Sequence, residues 1–429
     1  MSLTGRVPLL VLLGLVPAVL RPQASTVWVW MLLLVLAVLL DLLLAPRPDQ
    51  VEVRRLRTEN ARHGDTTTSE WTVRNTSRRP VDLLVRDAWQ PSAGPGHDRH
   101  RVRLAPGEVA RLATSLTPQR RGYLRALGVT VRSHGPLGLA ARQATRDVPG
   151  ELRALPRFDS RKHLPSRLAR LRELDGRAAV RVRGQGTEFD SLRDYVRGDD
   201  VRSIDWRASS RSRNVVVRTW QPERDRRVIL LVDTSRTSAG RVGDVPRLDS
   251  QLEAAQLLTA LASRAGDRVD LLAGDRRVRV RLRTSGSSAT HDVAQALSVV
   301  QPEIVEADWQ GLAAAVTALG RHRALLVLLT PLEPHPVTEG LLPKLATLTR
   351  HHRVVLASVR DPQLREVAAR RDNPADVYAA SAAEHVLAQR EHTALVLRRL
   401  GVDVIDVDPD DLPPALCDHY LTLKARGQL

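Results

Sequence analysis

Oxygen-bearing side chains cluster where one strongly apolar run of this 429-residue chain ends. The run is Val228–Val232, and Asp233, Ser235 and Thr237 follow it at alternate positions. Such a continuous apolar run is typical of a buried parallel strand, and open α/β sheets bind ligands at the carboxyl ends of their strands. Because hard divalent cations such as Mg²⁺ and Mn²⁺ prefer oxygen ligands, the pattern predicts a cation site on these three residues.

Two further residues are candidate ligands for the same site. Asp308 directly precedes a predicted helix that begins at Trp309, and Glu333 follows the predicted strand Leu325–Leu329. A structural alternative stays open for the whole set, because Asp, Ser and Thr side chains also accept backbone N–H groups where a helix or turn begins.

A dense polar segment, residues 184–227, leads into this strand. Its candidate interaction residues are Glu188, Arg193, Tyr195, Asp199, Asp200, Arg202, Asp205, Trp206 and Arg211. Arg193 and Arg202 are expected to form bidentate pairs with carboxylates of this set, which would pin the segment. Two other uses stay open: a partner surface anchored by Trp206, and acid–base or hydrolytic chemistry on paired carboxylates.

The basic excess of the chain lies entirely in its first half. Residues 1–227 hold 41 Lys and Arg against 23 Asp and Glu, whereas residues 228–429 hold 24 against 25. A positive surface suits either nucleic acid or an anionic membrane. Aromatic residues make up 3% of the chain, which leaves little for base stacking, and no nucleic-acid-binding motif is present. We therefore expect a membrane surface, and no nucleic acid, as the partner of the basic half.

Residues 1–48 contain two apolar runs, Val7–Leu20 and Val27–Leu44. The second has 18 residues, about the length that spans a ~30 Å hydrocarbon core. The first is shorter and requires Arg6 to reach back to the interface. A cleaved signal peptide is the alternative, but no A-x-A-like site follows the first run. We predict a transmembrane hairpin of helices 7–20 and 27–44.

The arginines on either side of the second run predict the orientation of this hairpin. The loop between the two runs holds Arg21 alone, whereas Arg47, Arg54, Arg55 and Arg57 follow the second run. By the positive-inside rule, both chain termini face the cytoplasm. We therefore expect a multi-pass membrane protein with cytoplasmic soluble domains.

Two segments of different pattern separate the hairpin from the polar segment. Residues 49–148 alternate apolar and polar positions, as at Trp71 and Val73, between turn clusters, which predicts a small antiparallel β-sandwich. Residues 149–183 are rich in arginine, and the helical spacing of the leucines between 164 and 174 predicts a basic linker helix.

Beyond residue 227 apolar runs alternate with amphipathic segments, which predicts a mostly parallel, doubly wound α/β sheet over residues 228–429. The predicted strands are 228–232, 268–273, 278–282, 325–329, 354–359 and 402–407. The predicted helices are 249–264, 291–300, 309–319, 338–349 and 382–400. The second and third strands are close enough to form a hairpin, which adds an antiparallel edge.

Several motifs of the chain resemble the domain-of-unknown-function 58 family. They are GQGTEFDSLRDYVRGDDVRSIDWRASSRS, the runs Val217-Arg218 and Pro222–Asp225, the upstream RRGY and GPLGL turns, and the closing Tyr420-Leu-Thr-Leu-Lys424. Together they extend over most of residues 50–429. The resemblance implies a bacterial membrane-anchored protein with a von Willebrand factor A-like domain, and MoxR-type AAA+ ATPases as partners.

The resemblance also bears on the predicted cation site. Asp233, Ser235 and Thr237 are similar to the D-x-S-x-S/T loop of the von Willebrand A-type metal-ion-dependent adhesion site. That site also takes an aspartate after the fourth strand, in a T-D-G pattern. Here Pro331 stands at the aspartate position, so the chain departs from the full pattern.

We therefore predict a membrane-anchored, cytoplasm-facing, non-enzymatic adaptor that binds other proteins through its α/β domain. The chain lacks the G-x-x-x-x-G-K-[ST], H-E-x-x-H and G-x-S-x-G patterns. The alternative is a hydrolase or other enzyme that uses the carboxylates of residues 188–205.

Overall fold

The structure is a computed structural model that describes residues 2–181, 188–212, 214–221, 226–320 and 322–429. The chain divides into two compact units, residues 1–155 and 156–429. Helices and several β-sheets are both present, which confirms the expectation of a mixed α/β chain.

The first unit begins with apolar helices and continues with strands. Its helices are α1 (Arg6–Leu13), α2 (Leu15–Leu20) and α3 (Ala24–Leu44). Its strands are β1 (Ser2–Leu3), β2 (Val51–Thr58), β3 (Ala61–Arg62), β4 (Thr67–Asn75), β5 (Val81–Trp89), β6 (Pro95–Gly96), β7 (Arg99–Leu104), β8 (Val109–Leu116), β9 (Gly122–His134), β10 (Ala140–Arg146) and β11 (Glu151–Leu155). Along β5 buried residues alternate with more exposed ones, as expected for a strand with one face on a core.

Two largely antiparallel sheets pack against each other in the first unit. One contains β2, β4, β8 and β6, and the other is built around β9, which pairs with β10, β5 and β11. Trp71 and Val73 of the first sheet share a buried cluster with Leu83, Val85 and Val131 of the second. Residues 151–155, which the sequence pattern assigns to the linker, form β11 because they pair with β9 and bury two of their side chains.

The apolar N-terminal residues form one long helix and two short ones. Helix α3 has the length and composition of a membrane span; its 21 residues correspond to about 31 Å. The predicted helix 7–20 is instead divided at Gly14 into α1 and α2, and Arg6–Leu20 is shorter than a full span. Trp30 Nε1 donates a 3.2 Å hydrogen bond to the Leu10 carbonyl, so this shorter segment lies against α3.

Asp41 joins α3 to the second sheet of the first unit. It is fully buried, and its carboxylate accepts three backbone N–H bonds of 2.7–2.8 Å, from Leu137, Leu139 and Ala140. Thr4 Oγ1 donates to a carbonyl of the same turn at 2.6 Å. A buried carboxylate persists only when its oxygens are hydrogen-bonded in this way. The GPLGL turn, residues 135–139, therefore contacts both ends of the apolar N-terminal segment, at Thr4 and at Asp41.

The second unit contains a basic helix, a two-stranded ribbon and a large α/β domain. Its helices are α4 (Leu164–Arg181), α5 (Trp206–Ser209), α6 (Arg236–Ala239), α7 (Arg247–Arg264), α8 (Ala289–Ser298), α9 (Trp309–Thr317), a π-helix (Pro336–Leu341), α10 (Leu342–His351), α11 (Gln363–Ala369), α12 (Pro374–Arg399) and α13 (Leu412–Ala425). Its strands are β12 (Glu188–Asp194), β13 (Val216–Gln221), β14 (Arg227–Asp233), β15 (Arg241–Val242), β16 (Val245–Pro246), β17 (Arg268–Gly274), β18 (Val278–Thr284), β19 (Leu325–Leu329), β20 (Arg353–Val359) and β21 (Asp403–Val407).

The central sheet has six strands within the described residues, in the order β18-β17-β14-β19-β20-β21. Strands β17, β14, β19, β20 and β21 are parallel, and β18 is antiparallel to β17, which confirms the predicted hairpin edge. The chain builds the sheet outward from β14 in one direction and then, starting with β19, in the other. The order therefore reverses between β14 and β19, and open α/β sheets bind ligands in the crevice at such a point.

Helices cover both faces of this sheet, as a buried parallel sheet requires. Helices α7, α8 and α13 pack on one face around residues such as Leu252 and Leu421. Helices α9 and α10 and the end of α12 pack on the other face around Leu312 and Leu345. The predicted linker helix is α4, which buries Leu171 in the first of these clusters.

Helix α13 is a long helix that the sequence pattern does not predict. It begins Leu412-Pro-Pro, and proline is compatible with the first turn of a helix because the N–H groups there have no intrahelical partner. Tyr420 of α13 is fully buried and donates a 2.6 Å hydrogen bond to Asp267 Oδ2. Lys424 lies 3.3 Å from the other oxygen of the same carboxylate, so the YLTLK motif anchors the C-terminal helix.

Replacing Asp41 with asparagine is expected to loosen the turn that holds α3. The amide group presents N–H donors where a carboxylate oxygen now accepts, and each charge-assisted hydrogen bond contributes about 1.5–3 kcal/mol. Hydrogen exchange at the Leu137, Leu139 and Ala140 amides should then accelerate by at least about tenfold. Asp49→Asn is the matched control, since the Asp49 side chain is 87% exposed. Equal exchange in both variants would contradict this role of Asp41.

Replacing Tyr420 with phenylalanine is expected to destabilise the second unit by about 1–3 kcal/mol, because it removes a hydrogen bond to a buried carboxylate. Tyr378→Phe should change stability by less than about 0.5 kcal/mol, since Tyr378 is 80% exposed. Chemical denaturation of both variants, monitored by circular dichroism, compares the two effects. Equal stability of the two variants would show that the Tyr420 hydroxyl contributes little.

Candidate functional site

Asp233 and Thr330 meet in the crevice between β14 and β19. Asp233 is the last residue of β14, and Thr330 directly follows β19. The two strands are parallel neighbours with Val232 opposite Leu329, so their carboxyl ends lie at the same edge of the sheet. Thr330 Oγ1 donates a 2.7 Å hydrogen bond to Asp233 Oδ2.

Two further donors surround the Asp233 carboxylate. The Ser235 backbone N–H bonds Oδ1 at 2.8 Å, and Thr237 Oγ1 bonds Oδ2 at 3.2 Å. Ser235 Oγ lies 3.1 Å from Thr237 Oγ1. Asp233 therefore has the backbone-satisfying role that the sequence left open, at the start of the short helix α6. The same arrangement brings one carboxylate and three hydroxyl groups together.

Asp233, which carries the carboxylate of this cluster, is buried, with 1% of its surface exposed. Burial raises the pKa of this carboxyl above its ordinary value, against the opposing effect of the hydrogen bonds from Ser235, Thr330 and Thr237. Because the folded pKa lies above the unfolded one, the cost of burying the charge is present above the raised pKa and is relieved as the pH falls through it.

Four of the five other buried aspartates of the described chain have a cationic partner, and the fifth, Asp41, accepts three backbone N–H groups. Asp87, Asp267, Asp270 and Asp275 pair with Arg55, Lys424, Arg227 and Arg279, respectively. Asp233 has only neutral donors among the described residues. A buried carboxylate without a countercharge is costly, and a bound cation would supply one.

The hydrogen-bonding separations of the cluster oxygens overlap the spacing of ligands around a small cation. Mg²⁺ with bonds of 2.0–2.1 Å places neighbouring ligand oxygens about 3.0 Å apart. The separations within the cluster of Asp233, Ser235, Thr237 and Thr330 are 2.7, 3.1 and 3.2 Å. The described residues contain no group of three or more His, Cys, Asp or Glu that could hold a metal ion, so a cation here would depend on the hydroxyl groups.

Asp275 fixes the loop that carries these oxygens. Thr234 lies between two of the cluster residues, and its Oγ1 donates to Asp275 Oδ2 at 2.5 Å. Arg279 pairs with the same carboxylate. Although burial acts in the opposite direction, the hydrogen bonds from Arg279 and Thr234 lower the pKa of Asp275. The charged Asp275 side chain therefore holds the loop in place.

An open cleft of about 260 Å³ adjoins the cluster. Besides Asp233, Ser235 and Thr237, it is lined by Glu306, Ala307, Trp309, His335, Pro336, Glu339 and Gly340. The last three belong to the π-helix, a form that often marks functional sites. At Gly340 a Cβ atom would lie 2.6 Å from Trp309 Cδ1. The volume of the cleft lies just below the roughly 300–1,000 Å³ of small-molecule sites.

Asp308 and Glu333, the two additional candidate ligands, make other contacts. Asp308 Oδ1 accepts the backbone N–H groups of Gln310 and Gly311 at 3.1 and 3.0 Å and caps α9. Glu333 pairs with Arg247 at 2.6 Å, and a second arginine lies 3.6 Å from the same oxygen. The structure therefore does not join either residue to Asp233 by a hydrogen bond.

The polar segment forms an antiparallel ribbon of β12 and β13, separate from the six-stranded sheet. We call the connecting residues, 195–215, the ribbon tip. Two parts of the motif, Gly184-Gln-Gly186 and Pro222–Asp225, lie outside the described residues, as does the side chain of Glu188.

Two ion pairs form between residues of this ribbon. Arg193 forms the predicted bidentate pair with Asp199, at 2.6 and 2.8 Å. Asp205 pairs with Arg218 at 2.8 Å, a partner that the sequence does not identify, and also caps α5. These bonds lower the pKa of the Asp199 carboxyl, chiefly through Arg193, and that of Asp205, chiefly through a backbone N–H of α5.

The remaining candidate residues of the segment lie at its surface. Asp200 accepts the backbone N–H of Arg202 at 2.9 Å and begins a 3₁₀ turn. Trp206 is 69% exposed, Tyr195 is 37% exposed, and Arg211 is also exposed. The structure therefore does not bring these side chains to the Asp233 cluster through any described hydrogen bond.

Thr330 is the cluster member that the sequence analysis missed. Its position directly after the predicted strand 325–329 is the signal that would have found it, because parallel neighbours end at the same edge. The neighbour relation itself, β14 beside β19, is not readable from spacing. His335 and Glu339, which form an exposed 3.0 Å pair beside the cleft, carry no comparable signal.

Residues 191–395 match the family model described as a protein of unknown function, DUF58. This confirms the resemblance over a narrower range than the motifs indicate. Uncharacterized proteins of Mycobacterium tuberculosis and Mycobacterium bovis are 29% identical over 189 residues, which is 42% of this chain. The chain spans 57% of the length of these curated relatives.

Two solved structures resemble parts of the chain. The ASH/PapD-like domain of human CEP192 has a TM-score of 0.19 and 14% identity, and covers 26% of this chain and 89% of that domain. The CARDB domain of a Pyrococcus furiosus protein has a TM-score of 0.19 and 16% identity. The match covers 24% of this chain and 91% of that domain. Scores this low support no inference about fold or function.

Asp233→Asn is expected to abolish any stabilisation by Mg²⁺. The amide keeps an acceptor for the Ser235 N–H but lacks the charge that a cation requires. In EDTA, above the raised pKa, the variant should unfold at the same temperature as the wild type or higher, because it buries no charge. With Mg²⁺ at a hundredfold excess over Kd, only the wild type should gain about 2.7 kcal/mol. Thermal unfolding of the full chain in nanodiscs measures both effects.

Asp308→Asn provides the matched control for this experiment. Asparagine is as good a helix N-cap as aspartate, so this variant should keep both its stability and its response to Mg²⁺. An equal Mg²⁺ response in wild type and Asp233→Asn would contradict the cation site. A response lost only in Asp308→Asn would move the site to Asp308.

Proposed function

We propose that this chain, whose residues 191–395 belong to the DUF58 family, is a membrane-anchored, non-enzymatic adaptor that binds a partner protein through a divalent cation. The proposal depends on one observation: Asp233 is a buried carboxylate whose described donors are all neutral, and three hydroxyl oxygens, the ligand type that hard cations prefer, lie in the same cluster. The proposed cation is Mg²⁺ or Mn²⁺, held by Asp233, Ser235 and Thr237 with Thr330.

A von Willebrand A-like assignment of the α/β domain is part of the proposal. It is supported by the sheet order, with β14 central and one antiparallel edge strand. It is also supported by the D-x-S-x-T loop, which follows the central strand at the crevice. Thr330 occupies the threonine position of the T-D-G pattern, and Pro331 replaces its aspartate.

Docking of the partner would take place in the cleft beside the cluster. A cation bound there would leave a coordination position open to a carboxylate of the partner, which makes binding depend on the metal. The chain's own residues hold the oxygens in place: Asp275 fixes Thr234, and Gly340 leaves room for the Trp309 ring in the cleft wall.

The proposed partner is a MoxR-type AAA+ ATPase, and the resemblance to the family is its support. The membrane anchor is α3, and Asp41 couples it to the first unit. The shorter segment α1–α2 lies against α3 through the Trp30 contact, which supports a hairpin. The arginines after α3 favour cytoplasmic soluble units in a bacterial cell membrane.

The ribbon carboxylates offer little support for the enzymatic alternative. A general acid at neutral pH needs a raised pKa, whereas the Asp199 carboxyl has a lowered pKa because Arg193 pairs with it. Hydrogen bonds from the α5 backbone and from Arg218 likewise lower the pKa of the Asp205 carboxyl. These carboxylates support the structure of the ribbon.

A pull-down of the full chain from native membranes tests the adaptor. Wild type and Asp233→Asn are each used with Mg²⁺ and with EDTA, and bound proteins are identified by mass spectrometry. The proposal predicts an AAA+ ATPase that is retained by the wild type in Mg²⁺ and is lost in the other three samples. Asp308→Asn, altered beside the same cleft, should retain it.

The other outcomes separate the parts of the proposal. Retention of the ATPase in all samples would keep the adaptor and exclude the metal bridge. Metal-dependent retention of a different protein would keep the bridge and replace the partner. Absence of any retained protein under all conditions would overturn the adaptor function.

A further inference from the structure

The ribbon tip exposes apolar side chains that the fold does not cover. Val196 is 60% exposed, Val201 63% and Trp206 69%. Exposed apolar residues are ordinary when they are scattered singly. Here three of them recur at five-residue intervals within one short connection, and each is available for binding.

An arginine follows each of these apolar residues. Val196-Arg197, Val201-Arg202 and Trp206-Arg207 repeat the same dipeptide, and the three arginines are exposed. An apolar group beside a cationic one is the composition of segments that lie in the headgroup region of a bilayer.

The carboxylates of the tip make contacts within the ribbon. Asp199 pairs with Arg193, Asp205 pairs with Arg218, and Asp200 accepts a backbone N–H. The charges of Asp199 and Asp205 are thereby paired inside the ribbon, and the exposed arginines of the three dipeptides outnumber the exposed Asp200. The accessible charge of the tip is positive, which complements an anionic surface.

If the proposed membrane anchoring holds, on which this inference rests, a bilayer is the anionic surface to which this chain is tethered. Helix α3 has the length and composition of a membrane span, so the tip and the lipid belong to one assembly. A tethered second contact forms at high effective concentration. A contact that is weak on its own therefore suffices, which favours lipid over an acidic protein in solution.

We propose that the ribbon tip binds the surface of an anionic lipid bilayer. Trp206, Val196 and Val201 enter the interfacial region, and the neighbouring arginines contact lipid phosphates. Tryptophan prefers this depth because its ring is apolar and its N–H is polar. The contact is separate from the proposed partner site, because its residues are not part of the Asp233 cluster.

A fluorescent reporter on the tip tests the contact in the full chain. Val201→Cys is labelled with an environment-sensitive dye, and the protein is placed in nanodiscs of zwitterionic lipid or of lipid with 30% phosphatidylglycerol. Cys417 should not react, because it is buried and burial raises the pKa of its thiol. We expect a blue-shifted, brighter signal in anionic nanodiscs that declines with added salt. Ser381→Cys, at an exposed position of α12, should show no shift.

Two triple variants in the labelled protein separate the tip from net charge. Each removes three positive charges, and an arginine near the surface contributes about a fivefold change in membrane binding. The tip variant carries Arg197→Gln, Arg202→Gln and Arg207→Gln. It should lower the ratio of lipid-bound tip to unbound tip by about a hundredfold. The control variant is Arg350→Gln, Arg365→Gln and Arg370→Gln, at exposed positions outside the tip.

The outcomes decide between the surfaces. A shift in anionic nanodiscs that the tip variant loses and the control variant keeps would support lipid binding. The same shift in zwitterionic lipid, or equal losses in both triple variants, would overturn it. No shift in any nanodisc, with a shift on addition of an acidic protein, would overturn it in favour of a protein partner.

Discussion

The burial of one carboxylate without a cationic partner is the constraint on which the functional face of the second unit depends. Asp233 ends an apolar strand, so its charge lies at the edge of a hydrophobic sheet rather than in water. Neutral donors from Ser235, Thr237 and Thr330 only partly offset that cost. The cluster that results gathers the oxygen ligands that a small divalent cation prefers.

The other buried aspartates of the second unit are paired with a cation, as is Asp87 of the first unit, whereas Asp41 is held by backbone N–H groups. Asp87 has Arg55, and Asp267 has Tyr420 together with Lys424. In an arginine-rich protein such pairs are easy to form, and the absence of one at Asp233 therefore distinguishes it among the described buried aspartates of the second unit. Arg236, next to Ser235 in the chain, pairs instead with Glu306 in the cleft wall.

The sequence predicts what depends on local pattern and fails where distant segments meet. The apolar run 325–329 is the strand β19 itself, and the hairpin edge follows from two adjacent runs. The position of β19 beside β14 depends on the sheet order, so Thr330 could not be assigned to the site. Helix α12 begins at Pro374, eight residues before the prediction, because its first turns are exposed and lack an apolar stripe. In the sequence, Asp41 is an isolated charge in an apolar run. Only the fold shows that the turn at residues 135–139 donates hydrogen bonds to it.

A titration of the full chain with Mn²⁺, followed by electron paramagnetic resonance, tests the central claim most directly. The account predicts about one bound Mn²⁺ per chain in the wild type, a site of oxygen ligands, and its loss in Asp233→Asn. Thr330→Val, which removes only a hydroxyl, should weaken binding, whereas Thr349→Val, on α10, should not. Equal Mn²⁺ binding by wild type and Asp233→Asn, or no binding by either, would contradict a cation site at the crevice between β14 and β19.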